Sequence, residues 1–276
     1  MALNISPAIS TPSTDTQYLV LFDHDGTTCL TNENAYESIK YAVRESCKIM
    51  GIDLGDIEQK WDQLFHECRG TTELYFIQVV FNKLANHKQF IQDFANLYYT
   101  ARANWYKNMK SYNHYTYDTY YPDAENLIFH CWKTPNIHIG LLTGNPEDTM
   151  KERLATHLSE IFLIPGAINT FGNEASSREE LIKLAIDKAI SRIPNFKITQ
   201  NGNIITNVIY IGDSRADLFA GLAAQVKTIW VPSRTLQNLH DAMSEDSVMV
   251  LRKLLPSAIL ITNNLETPEV KKFITP

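Results

Sequence analysis

The chain has 276 residues, 44% of them apolar, with 11 glycines and 11 prolines; it can bury a substantial core and is too poor in Gly and Pro to be collagen-like or low-complexity. A formal charge of −6 argues against a polyanion-binding face, so no nucleic-acid partner is expected. Cys29, Cys47, Cys68 and Cys131 form neither a CxxC pair nor a His/Cys cluster at zinc spacing, and reduced thiols of a cytoplasmic protein are expected.

Residues 1–17 are rich in Ser, Thr and Pro, lack a basic n-region and an apolar h-region, and read as a disordered lead-in without a Sec-type signal. No apolar run approaches the roughly 20 residues of a spanning helix, so no membrane partner is expected. The first strong signal is Tyr18-Leu19-Val20-Leu21-Phe22, a continuous apolar run that stops at Asp23-His24-Asp25-Gly26-Thr27. A strand apolar on both faces belongs inside a parallel sheet covered by helices. From residue 31 to 120 strand signals almost vanish. Apolar residues at helical spacing (Tyr36, Ile39, Val43, Cys47, Met50) predict a helix over 33–50, and 57–68, 73–84 and 89–109 read as helices too. This is an inserted helical unit, and its ten Lys/Arg balance ten Asp/Glu over 31–117. Strand-like runs return at 137–142, 207–211 and 227–231, with a candidate edge strand at 258–262. Helices are predicted over 147–158, 177–191 and 216–224, and Asn201-Gly202 marks a loop or small hairpin. Strand then helix, repeated, predicts an α/β, doubly wound, Rossmann-like parallel sheet. The expected domains are a core of 18–30 with 121–276 and an all-helical unit of 31–120.

Three apolar strands end in polar groups: Asp23/Asp25, Thr143/Asn145 and Asp213/Asp217. Ligands of open α/β sheets bind beyond the carboxyl ends of the strands. If the strands are neighbours, three or four carboxylates converge and repel one another, which calls for a cation. Oxygen ligands without sulfur or a His cluster point to Mg²⁺, and Mg²⁺ on a few carboxylates points to phosphoryl transfer.

Asp23-x-Asp25-Gly26-Thr27, Leu141-Leu142-Thr143-Gly144-Asn145 and Ile211-Gly212-Asp213-x-x-x-Asp217 resemble the first, second and fourth motifs of the haloacid dehalogenase (HAD) superfamily, in the right order. The helical insertion after the first motif resembles that superfamily's C1 cap. The Thr-Gly-Asn ending, Phe171-Gly172-Asn173-Glu174 and Arg178 look most like phosphoglycolate phosphatase-like hydrolases. The resemblance implies a Mg²⁺-dependent phosphatase. Asp23 would be the nucleophile that forms an aspartyl-phosphate, and Asp25 the acid/base. Mg²⁺ would sit on the Asp23 and Asp213 carboxylates and the Asp25 carbonyl, with Asp217 orienting a metal-bound water or the loop. Thr143 and Gly144 would hold phosphate oxygens. Many relatives carry a lysine as their third motif; Arg178 is the candidate here, with Lys183 as the alternative. Arg69 and Thr71 would belong to a cap loop that reads the substrate. His24 either packs away from the metal or touches the leaving group. The expected substrate is a small phosphorylated metabolite such as 2-phosphoglycolate, turned over by a monomer or homodimer. A phosphotyrosine phosphatase, a phosphomutase and a non-catalytic binding module are the alternatives.

Overall fold

The computed structural model describes residues 16–30, 33–84, 90–115, 117–232 and 258–275. The lead-in predicted over 1–17 therefore lies outside the described residues, save Thr16 and Gln17. Five strands form the parallel sheet: β1 (Tyr18–Phe22), β2 (Ile137–Leu141), β4 (Ile204–Gly212), β5 (Val226–Trp230) and β6 (Ile259–Ile261), in the spatial order β2-β1-β4-β5-β6. The short β3 (Gln200–Asn201) turns at Gly202 and pairs antiparallel with the start of β4. The chain leaves β1 for one neighbour, β2, and later returns to the other, β4. The strand order therefore switches at β1, and the three polar strand ends lie side by side.

The sheet is covered on both faces. One face (Val20, Phe22, Ile209, Ile211, Ile229) packs on α5 (Pro122–Lys133), α7 (Thr156–Phe162) and α10 (Pro268–Ile274). The other (Leu19, Leu21, Val208, Tyr210, Val226) packs on α8 (Arg178–Arg192) and on Ala220 of α9 (Arg215–Ala223). The side-chain period of two in β1 and β4 sends alternate residues into the two layers, and each fully buried Leu or Ile contributes about 1.5–3 kcal/mol.

The helix predicted over 147–158 is two helices, α6 (Glu147–Arg153) and α7. Leu154 and Ala155 are extended, with ψ of 134° and 149°, and this break drops Leu154 and Leu158 into the core. Between β1 and α5 stand α1 (Glu33–Met50), a 3-10 turn (Gly55–Gln59), α2 (Trp61–Glu67), α3 (Glu73–Lys83) and α4 (Ile91–Ser111). They bury a core of their own around Val43, Leu64, Ile77, Phe81, Phe94 and Tyr98. The two chain segments joining this helical unit to the sheet run side by side, Leu30 N–H to the Thr119 carbonyl and Tyr121 N–H to that of Thr28. All four cysteines are buried and unpaired. Among the described residues no helix is long and apolar enough to cross a membrane.

Candidate active site

The ends of β1 and β4 bring Asp23 and Asp213 together. Gly26 is the turn that permits it: its φ is +82°, and a Cβ there would lie 2.4 Å from the Asp213 carboxylate, so both the backbone conformation and the space demand glycine. The Thr27 hydroxyl donates to Asp213 at 2.9 Å, and the Trp230 indole N–H pins the Asp213 carbonyl at 2.9 Å. Asp217 completes a group in which one carboxylate oxygen from each of Asp23, Asp213 and Asp217 lies within 4.8 Å of the others.

Arg178, the first residue of α8, projects into this group because a capping box between Ser177 and Glu180 fixes the start of the helix. One Nη1 donates to Asp23 at 2.8 Å and lies 2.7 Å from Asp217, while Nε donates to the Gly70 carbonyl at 2.8 Å. Lys183 points elsewhere, to Glu179 on the exposed side of the helix. Asp217 is fully engaged: one oxygen takes Arg178 and the Tyr210 hydroxyl, the other the N–H and hydroxyl of Ser214. Burial, reinforced by Asp217 and Asp213 and opposed by Arg178, pushes the Asp23 carboxyl well above its ordinary range.

A buried carboxylate that resists ionisation beside two others fits a hard divalent cation, which would restore its charge. Asp23 and Asp213 are the side chains that suit it. Asp217, with its oxygens already occupied, holds Arg178 and the loop after β4.

Asp25 is outside that group and has partners of its own. Arg153, entirely buried at the end of α6, grips both of its oxygens, and the Asn145 amide donates to it at 2.7 Å. Burial alone would raise the Asp25 carboxyl, but Arg153, helped by His24 and Asn145, outweighs it and holds the group well below the usual carboxylate range. The same guanidinium donates through Nε to Asp118 at 2.9 Å. His24 is buried and turned away from the acidic group, with Nε2 2.7 Å from Asp118 and Nδ1 near the Thr28 hydroxyl. Arg153 and Asp118 escaped the sequence reading. The available signal was an arginine three positions after Met150 and next to Leu154, on the buried side of an otherwise charged, exposed helix.

Thr143 ends β2. Its hydroxyl accepts from both the backbone N–H and the side-chain amide of Asn145, at 3.2 and 2.8 Å. With both lone pairs taken, its own proton is left to donate outward. Gly144 lies under the helical unit: a Cβ there would come 2.6 Å from the Thr71 carbonyl. The 68–72 loop is thus seated on the core, and Glu73 and Leu74 N–H donate to the carbonyls of Gly144 and Gly172 at 2.9 and 2.8 Å. Within the loop the Thr71 hydroxyl turns back to the Cys68 carbonyl, while Arg69 is exposed.

The sequence profile of haloacid dehalogenase-like hydrolases matches residues 19–225. No curated protein matches the chain. Among solved structures, a phosphonoacetaldehyde hydrolase-like protein from Oleispira antarctica superposes with TM-score 0.53 at 14% identity, covering 94% of each chain. CbbY from Rhodobacter sphaeroides, in complex with xylulose-1,5-bisphosphate, gives 0.52 at 15% identity over 91% of this chain and 96% of its own. A family IA HAD hydrolase from Entamoeba histolytica gives 0.50 at 18% over 94% and 100%. At these identities the structures speak to the fold. With three quarters of its length inside the family profile, the chain belongs to the haloacid dehalogenase-like hydrolases.

Proposed function

We propose that the protein is a Mg²⁺-dependent phosphatase that cleaves a phosphate monoester through an aspartyl-phosphate on Asp23. The observation that carries this reading is the meeting of Asp23 and Asp213 at the ends of neighbouring strands, with Arg178 2.8 Å from the Asp23 oxygen. Mg²⁺, held by Asp23, Asp213 and the Asp25 carbonyl, would supply charge neutralisation of the transferring group.

The Asp23 carboxylate attacks phosphorus, forming an O–P bond as the bond to the leaving oxygen breaks. Thr143, Gly144 and Arg178 hold the equatorial oxygens with donors set in advance. Asp25 gives its proton to the leaving oxygen; water then attacks the phosphorus, releases Asp23, and returns a proton to Asp25. At rest Arg153 keeps Asp25 ionised, and the negative charge of a bound phosphate shifts it toward the protonated form that the first step uses.

The seated 68–72 loop supports a small phosphorylated metabolite, 2-phosphoglycolate being a fitting size, with Arg69 and Thr71 on the loop that would read it. The buried, unpaired cysteines support a reducing, cytoplasmic setting. The test is a hydrolysis panel of phosphorylated acids, sugars and phosphotyrosyl peptides, each with Mg²⁺ and with EDTA. Turnover that EDTA abolishes, that Asp23→Asn lowers at least about a thousandfold, and that leaves a phosphoryl adduct on the peptide containing Asp23 is expected. Full turnover in chelator or by Asp23→Asn overturns the reading.

A further inference from the structure

The helical unit does more than cover the site, because one of its charged side chains reaches the machinery around Asp25. Arg102 on α4 is 1% exposed, although a buried guanidinium carries a large desolvation cost unless fully paired. Its Nη1 pairs with Glu73, its Nε donates to the Ser38 hydroxyl at 3.2 Å, and its Nη2 crosses to the core and donates to Asn145 Oδ1 at 3.0 Å. Arg153 Nη1 donates to the same oxygen, also at 3.0 Å. Glu73 is held in turn by the Tyr98 hydroxyl. Asn145 therefore has two guanidinium donors on its oxygen, while its Nδ2 donates to Asp25 and to Thr143. Flipping the amide would turn its NH₂ against two N–H donors and its oxygen against a carboxylate, so the orientation is over-determined. The Glu73 N–H bond to the Gly144 carbonyl ties this contact to the seating of the loop.

We propose that Arg102 is a positioning residue of the helical unit, which, once the unit is seated, locks the Asn145 amide and so sets the Asp25 carboxyl for proton delivery to the leaving oxygen. The proposal rests on the phosphatase reading. Unseated, the unit withdraws Arg102, and Asn145 keeps only one of its two clamps. Proton delivery is then at its best only over a covered site.

The experiment compares two substrates that differ in how much they need the acid. A simple alkyl phosphate leaves as a basic alkoxide and depends on Asp25, whereas p-nitrophenyl phosphate leaves readily without a proton. Arg102→Lys keeps a charge beside Glu73 but lacks the fork that spans Glu73 and Asn145. In that variant kcat for the alkyl phosphate should fall at least about tenfold further than kcat for p-nitrophenyl phosphate, a part of the roughly 10²–10⁴-fold that a positioned acid contributes. Adding Asn145→Ala to Arg102→Lys should cost no more than Asn145→Ala alone, since the first acts through the second. Should Arg102→Lys fail to fold, Asn145→Ala on the same two substrates carries the test. Equal losses on both esters, or additive losses in the double variant, overturn the relay while leaving the phosphatase intact. Wild-type turnover that survives Asp23→Asn would instead overturn the underlying reading.

Discussion

Arg178 holds three parts of the protein with one planar group: Asp23, Asp217 and the Gly70 carbonyl of the seated loop. A lysine could supply the charge but not the fork. Arg178→Lys should therefore lose about 10-fold in kcat/KM and Arg178→Met about 10³-fold, the range found for removing a preorganised donor. Lys183→Ala, which breaks only a surface pair with Glu179, should stay within about twofold; steady-state kinetics on the best substrate decides. Asp118 poses a question of stability. Burial works against its charge, but Arg153 and His24 win and hold it at about 2. Its unfolded value is about 3.9, so the folded state binds fewer protons between the two. The stabilisation is complete above about pH 4 and disappears as pH falls through 2, and its size is on the order of 2 kcal/mol. Asp118→Asn should thus be most destabilising at neutral pH, with the gap to the wild type closing in acid. Urea unfolding at pH 7 and pH 3 measures it. A gap independent of pH would remove the ion pair as its source.

The elements that place the groups of the candidate site were legible because each is a local pattern. Tyr18–Phe22 reads as a buried strand from five consecutive apolar residues, and the helix predicted over 177–191 is α8 to within one residue at each end. What stayed hidden depends on distance along the chain. Arg102 and Arg153 look like ordinary helix charges until Glu73, Asp118 and Asp25, all far away in sequence, close around them. The split of 147–158 into α6 and α7 was equally invisible, since Leu154 and Ala155 are good helix formers overridden by the core. Gly144 shows how an element boundary becomes functional. An alanine Cβ there would meet the Thr71 carbonyl at 2.6 Å, a contact with the helical unit, whereas at Gly172 it would meet the Gly144 carbonyl at 1.6 Å, inside the core. Gly172→Ala should consequently destabilise the fold. Gly144→Ala should leave the melting transition nearly in place while lowering kcat about tenfold or more through a displaced loop, in line with the cost of a misplacement near 1 Å. Thermal melts beside kinetics separate the two, and a Gly144→Ala protein that turns over normally would show that the loop need not sit so closely.

The molecule as described is closed: the 68–72 loop rests on the core, and Arg178, Arg102 and the first amides of α3 all cross from one unit to the other. A substrate must enter, so the seat must open, and what opening breaks is specific. Glu73 and Leu74 are the first residues of α3, where N–H groups have no partner within the helix. Here the Gly144 and Gly172 carbonyls take them, and in an opened state only water would. The α3 interior, around Ile77 and Val80, packs in the helical unit's own core and needs nothing from the sheet. Hydrogen exchange should therefore divide α3. Glu73 and Leu74 should exchange through the opening of the seat, a sub-global event of low free energy, while Ile77 and Val80 wait for unfolding of the unit itself. If the site binds as proposed, a phosphate mimic with Mg²⁺ would favour the closed form and should slow the first pair selectively, by the factor that its binding shifts the equilibrium. Residue-resolved exchange with and without vanadate measures both. Equal protection along α3 would mean that the two units open only by unfolding, and that the substrate reaches Asp23 without lifting the loop.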